Sequence, residues 1–118
     1  MKLEKLQTQA GEAESLLKAM ASRPRLMILC ELFSGERTVT ELQHAVGLAM
    51  SAVSQHLAKL REAEIVETRR ESRTIYYSLS SSAAKEVLSS LYAIFCGPKR
   101  AAKLNHKLNH KLNQGNKS

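Results

Sequence analysis

Met50-Ser-Ala-Val-Ser-Gln-His-Leu-Ala-Lys-Leu-Arg-Glu-Ala-Glu-Ile-Val66 is the stretch on which the fold turns. Val53, Leu57 and Leu60 stand four and three residues apart, the spacing that lays apolar side chains along one stripe of a helix, so a helix is expected over residues 50–63. Around that stripe lie Ser51, Ala52, Ser54, Gln55, His56 and Lys59, short or hydrogen-bonding side chains suited to a DNA major groove. Gln pairs bidentately with adenine, Ser is permissive and Ala touches a thymine methyl. Lys59, two turns in, suits a phosphate. The same residues would also make an ordinary solvated face, and His56 could pack beneath the segment that follows. The neighbouring stretches decide between these readings.

Upstream, Thr40 with Gln43 three residues later has the form of a capping box opening a short helix that turns Leu42 and Val46 inward and stops at Gly47. A short helix, a tight turn (Gly47-Leu48-Ala49-Met50) and a second helix with a polar outer face make a helix-turn-helix pattern. Residues 37–39 read as a short extended piece. Before them, Ser22 can cap a helix with Pro24 in its first turn, running through Leu26, Leu29, Cys30 and Phe33 to Gly35. Residues 3–20 read as another helix, with Leu3, Leu6, Leu16, Leu17 and Met20 on its apolar side and Gly11 weakening its middle.

Downstream, residues 65–70 alternate apolar and polar, Glu71-Ser72 reads as a turn, and residues 73–79 are again β-rich, so a hairpin is expected. Arg69, Arg70 and Arg73 surround that turn with no apolar role. On a hairpin beside a helix-turn-helix, arginines suit backbone phosphates or an adjacent minor groove. Ser80, Ser81 and Ser82 open a last helix through Phe95, with Val87, Leu88, Leu91, Tyr92 and Phe95 on one side and Gly97-Pro98 ending it. The fold class is therefore mainly α with a small β-hairpin, in the order α-α-β-α-α-β-β-α: a winged helix-turn-helix.

The 118 residues allow one domain, residues 1–96, and a tail, residues 97–118. A core of this size buries only about two-thirds of its unfolded surface and often gains stability by pairing with a copy of itself. The net charge of +7 is unevenly placed: residues 1–96 hold 12 Lys/Arg against 11 Glu, and the tail adds Lys99, Arg100, Lys103, Lys107, Lys111 and Lys117 with no acid. Basicity by itself is thus a weak argument for nucleic acid. No apolar run reaches the roughly 18 residues of a membrane span, and the first residues have no apolar signal segment. A cytoplasmic protein with no membrane partner is expected.

Residues 16–77 resemble the ArsR/SmtB family of bacterial repressors. The resemblance is carried by the Ser-x-Val-Ser-Gln-His-Leu-x-x-Leu-Arg-x-Ala-x-Ile-Val pattern that starts at Ser51, followed by Thr68-Arg-Arg and Ile75-Tyr-Tyr. It extends over residues 15–96. It implies a homodimer through the first and last helices, bound to double-stranded DNA at an imperfect palindrome and released by an inducer. Ala49 departs from the pattern, standing where the family usually has a polar cap.

Metal sensing of the kind found in the family needs clustered Cys on the third helix or spaced Asp and His on the last. Residues 41–47 offer only His44, the last helix offers neither, and the chain has no Asp. No metal and no other cofactor is expected. Cys30 and Cys96 admit two readings. Each could be a small packing residue. The pair also resembles the dithiol subgroup of the family, the BigR/SqrR/HlyU type, with matching flanks in Arg25-Leu-Met-Ile-Leu-Cys30 and Leu91-Tyr-Ala-Ile-Phe-Cys96. That resemblance implies oxidation by persulfide or reactive oxygen species to a disulfide or polysulfide bridge that releases the operator. The alternative is a repressor of the same family without thiol sensing, either constitutive or answering a metal or another inducer.

In the tail, Lys103-Leu-Asn-His, Lys107-Leu-Asn-His and Lys111-Leu-Asn-Gln repeat a four-residue unit. Read as a helix, the unit drifts about 40° per repeat and sets His106 and His110 four apart. Read as a disordered basic arm, it attracts DNA without regard to sequence. Nothing in the chain supplies a nucleophile–base set or a phosphate-cradling glycine loop, so no enzymatic activity is expected.

Overall fold

Three helices of this chain begin where a Ser or Thr side chain meets unpaired backbone N–H groups. The computed structural model describes residues 1–97. Its order is α1 (Leu3–Met20), α2 (Arg23–Phe33), α3 (Val39–Val46), α4 (Met50–Glu62), β1 (Val66–Glu71), β2 (Thr74–Leu79) and α5 (Ser82–Cys96). This is a winged helix-turn-helix. The chain divides into two units, Met1–Lys85 and a second that starts at Glu86, with α5 crossing from one to the other. Apart from Gly97, the expected basic tail lies outside the described residues.

Ser22 caps α2 as expected, its hydroxyl accepting from the Arg25 N–H at 3.2 Å. The cap of α3 differs from the expectation. Thr38, not Thr40, is the N-cap, and Glu41, not Gln43, closes the box: the Thr38 hydroxyl accepts from the Glu41 N–H at 3.2 Å and the Glu41 carboxylate from the Thr38 N–H at 2.9 Å. Two overlapping Thr-x-x-Glu/Gln patterns compete here. A carboxylate is the stronger acceptor at the positive end of a helix. Arg37 also ends its extended path one residue earlier, in a backbone bridge with Tyr77, so Val39 is helical rather than extended.

In the first unit, α2 touches α1, α3, α4 and β2, and α4 touches α1, α2, α3 and β1. Between them Ile28, Leu29, Leu42, Val53, Leu57 and Leu60 are completely buried, and Ile65 nearly so. The Val53/Leu57/Leu60 stripe therefore faces the core as its spacing requires. Gly47 ends α3 at φ +71°, a left-handed conformation that glycine adopts without strain, and its N–H closes on the Gln43 carbonyl at 2.8 Å.

The hairpin register follows from its buried end. Val66 and Leu79 are both buried and pair, and counting outward from them matches Glu71 with Thr74. The turn is therefore Ser72-Arg73 rather than Glu71-Ser72, with Ser72 at φ +61°. Alternation sets Thr68 and Arg70 on the face of Val66 and Leu79, and Arg69 and Glu71 on the opposite face with Tyr76.

α5 starts on Ser81, whose hydroxyl accepts from the Ala84 N–H at 3.0 Å. Ala84 and Leu88 are buried, Val87 and Leu91 are half-buried, and Tyr92, Ile94 and Phe95 are exposed. α1 likewise leaves Leu3, Leu6 and Leu17 exposed.

Candidate nucleic-acid interface

The outer face of α4 is set by what its inner face must bury. At about 100° per residue, Ser51 and Gln55 fall nearly opposite the Val53/Leu57/Leu60 stripe. Ser51, Ser54, Gln55 and Lys59 are exposed, while Ala52 and His56 on the flank are half-buried. Ala49 is the N-cap, with extended φ −65° and ψ 149°, and offers no side-chain cap. The first N–H groups of α4 are therefore left to solvent or to an anion.

His56 has a partner that its own stretch of sequence does not reveal. Arg25 on α2 donates from Nε to the Ala19 carbonyl at 2.6 Å and from Nη2 to the Lys18 carbonyl at 3.4 Å, tying down the open end of α1. Its Nη1 lies 3.4 Å from His56 Nδ1. A guanidinium has no acceptor, so this hydrogen bond needs an unprotonated Nδ1 and leaves the proton of the neutral ring on Nε2. Burial, then the charges of Arg25 and Lys59, push the His56 pKa below its ordinary value. His56 thus combines packing with a ring nitrogen that can donate.

The wing arginines differ by partner. Arg69 closes its fork on Glu36, Nη2 to Oε1 at 2.8 Å and Nε to Oε2 at 3.0 Å. Its Nη1 lies 3.5 Å from Glu71, and its guanidinium sits 4.7 Å from the centre of the Tyr76 ring. The Arg69 hydrogen bond holds the Glu36 carboxyl below the usual carboxylate range, and Glu36 raises Arg69 further above its own. Arg70 and Arg73 are exposed, and among the described residues neither has a hydrogen-bond or ion-pair partner.

Arg25 and Glu36 are the residues that sequence reading missed. Arg25 carried a faint signal, a cation in the first turn of α2 where an acid would be favoured. Glu36 carried none, since its partner is 33 residues away. The two cysteines are both exposed, Cys30 on α2 in the first unit and Cys96 at the end of α5 in the second. No helix among the described residues is long and apolar enough to cross a membrane.

Residues 22–68 match the sequence profile of the bacterial regulatory protein arsR family. The transcriptional activator HlyU of Vibrio cholerae is 43% identical over 96 residues, 81% of this chain and 89% of that protein. The crystal structure of the transcriptional repressor BigR from Xylella fastidiosa superposes with a TM-score of 0.78 at 40% identity, covering 83% of this chain and all of that one. A homodimeric winged helix-turn-helix DNA-binding domain from Mycobacterium bovis, solved in solution, gives a TM-score of 0.67 at 26% identity over 80% of this chain and 86% of its own.

Proposed function

As the chain belongs to the arsR family of bacterial regulatory proteins and is a DNA-binding transcriptional regulator, we propose that it is a homodimeric repressor whose DNA release is governed by Cys30 and Cys96. The observation that carries the DNA-contacting part is the outer face of α4, where Ser51, Ser54 and Gln55 are exposed, as are Arg70 and Arg73 on the wing. Ser51, Ala52, Ser54, Gln55 and His56 meet base edges in the major groove, Lys59 meets phosphate, and Arg70 and Arg73 reach the backbone or minor groove beside it. The exposed apolar side chains of α1 and α5 support pairing of two copies through these helices. Such a dimer sets its two recognition helices about one DNA turn apart and matches an imperfect palindrome.

The regulatory part rests on the chemistry and exposure of the two thiols. A persulfide RSSH transfers its outer sulfur to one thiolate, giving a cysteine persulfide and RSH. The second thiolate then attacks the inner sulfur and expels hydrogen sulfide. Two cysteine thiols have then lost two electrons in forming one disulfide, and the persulfide has been reduced to RSH and hydrogen sulfide. Hydrogen peroxide does the same with two waters as product. The bridge weakens the operator-bound arrangement.

Fluorescence anisotropy on DNA from upstream of its own gene tests this. Protein is measured reduced and after an organic polysulfide or peroxide, with Cys30→Ser and Cys96→Ser alongside. Binding that weakens only when both cysteines are present is the expected result. Tight binding indifferent to oxidant refutes thiol control and leaves a constitutive repressor or one that answers another inducer.

A further inference from the structure

Arg69, Arg70 and Arg73 are close in sequence, yet they stand in two different electrostatic settings. Arg70 lies on the face of the hairpin across from Ile75, and Arg73 is in the turn. Arg69 is on the other face, and its guanidinium is already engaged by carboxylates. A guanidinium meets a planar anion along its Nε/Nη2 edge or its Nη1/Nη2 edge; Glu36 takes the first at 2.8 and 3.0 Å, which also engages the Nη2 that the second edge needs. Glu71 adds a second carboxylate at 3.5 Å. One positive charge thus faces two negative ones, and a phosphate approaching this cluster meets net repulsion.

Glu36 sits in the link between α2 and α3, beside Arg37. The Arg37 N–H donates to the Tyr77 carbonyl at 3.0 Å, and the Tyr77 N–H donates to the Arg37 carbonyl at 2.8 Å. Arg37 itself is held by Glu31 at 3.3 Å. Two adjacent residues of the link therefore grip the hairpin, Arg37 by backbone on β2 and Glu36 by side chain on β1. A lone two-stranded ribbon is marginal in water and needs such a brace to keep one direction.

We propose that Arg69 and Glu36 form a positioning pair that fixes the wing relative to the helix-turn-helix, and that Arg70 and Arg73 alone supply the wing's contacts to phosphate. The proposal rests on the reading of the wing as DNA-contacting. Arg69 releases no counterions on binding, whereas each phosphate contact flattens the plot of log K against log salt by about 0.9 when lost, about 1.8 in a symmetric dimer.

The test is operator anisotropy over a salt series, with thermal midpoints recorded for every variant. Arg70→Gln and Arg73→Gln are expected to flatten the salt dependence. Arg69→Gln is expected to weaken binding several-fold at every salt concentration without changing the slope or the midpoint. The exchange Glu36→Arg with Arg69→Glu, which keeps the net charge, is expected to restore affinity that Glu36→Arg alone loses. An Arg69→Gln slope as flat as that of Arg70→Gln overturns the pair while leaving the wing reading intact, as does a folded exchange variant no better than the single one. Slopes unchanged by Arg70→Gln and Arg73→Gln overturn the wing reading and the pair together.

Discussion

The start of α4 is the place where one atom changes stability and DNA binding by separable routes. Ala49 has the backbone of an N-cap, φ −65° and ψ 149°, close to that of Thr38 at φ −84° and ψ 166°. Thr38 uses the position fully, accepting the Glu41 N–H at 3.2 Å. At Ala49 the equivalent donor is the Ala52 N–H, and no side chain receives it. Ala49 is exposed, so Ala49→Ser or Ala49→Asp adds an oxygen without crowding the core. A cap of this kind contributes about 1 kcal/mol, and an acid adds roughly 0.3–1 kcal/mol from the helix dipole. In a domain of this size about 1 kcal/mol raises the thermal midpoint by roughly 4–8 °C. Midpoints are compared at one protomer concentration, because coupling to dimerisation shifts them. Thr38→Ala is the control, expected to lose about 1 kcal/mol. The two variants then part company on DNA. Serine is expected to leave operator affinity unchanged, while aspartate adds a negative charge at the end of the helix proposed to enter the groove and is expected to weaken binding most at low salt. If Thr38→Ala lowers the midpoint but neither Ala49 variant raises it, the inference that the recognition helix starts uncapped at Ala49 is refuted.

Three other perturbations separate core from contact. Leu57→Ala empties a fully buried site and should cost about 2.7–5 kcal/mol, a large part of a stability of roughly 5–15 kcal/mol, so urea unfolding should shift sharply or lose its cooperativity. Gln55→Ala, on the opposite face of the same helix, should leave unfolding unchanged and cost about 1–3 kcal/mol in operator affinity, with cognate over random DNA as the readout. The third is acidification. Because the folded pKa of His56 lies below its unfolded value, the unfolded chain takes up the proton first. The His56 contribution to stability is then whole above about pH 6.5 and is lost as pH falls below it. Binding runs the other way, since the negative field of DNA favours the imidazolium even in the groove, so operator affinity should rise over the same range. His56→Gln should remove both trends, and a pH profile that survives it would assign them to another group.

Periodicity made the helices legible, because burial obeys it: Val53, Leu57 and Leu60 had one possible orientation, and the faces of α4 followed. Local chemistry was read less well where two local solutions competed. Thr38 and Thr40 both begin a capping pattern, and Thr38 is favoured by the Glu41 carboxylate and by Arg37 pairing with a strand 40 residues away. The hairpin turn moved by one residue for a similar reason, since the buried Val66–Leu79 pair at the far end fixes the register that the tip must accept. The partners of Arg69 and His56 were not legible at all. Each lies more than 30 residues distant, and a surface glutamate or an arginine at a helix start looks the same in sequence whether or not it holds something.

Those distant partners explain how a domain with nearly balanced charge can still present a cationic surface to DNA. Twelve basic residues precede residue 97 against eleven Glu, so their arrangement rather than their number must create the field. Lys18 is paired with Glu14, Arg25 serves the carbonyls ending α1, Arg37 is held by Glu31, and Arg69 is held by Glu36 and Glu71. Each of these cations has a partner within the described residues. Lys59, Arg70 and Arg73 are exposed and, among the described residues, unpartnered. Acids are thus placed on Lys18, Arg37 and Arg69. Among the described residues, the cations left exposed without an ion pair include Lys59 and Arg61 on α4 and Arg70 and Arg73 on the wing, besides Lys2, Lys5, Arg23 and Lys85 elsewhere. On the proposed reading, these cations attract any DNA, while discrimination falls to Gln55 and its neighbours. Removing an acid that pairs with a cation of the fold, such as Glu31, should therefore raise affinity for random DNA more than for the operator, the reverse of the effect expected from Gln55→Ala.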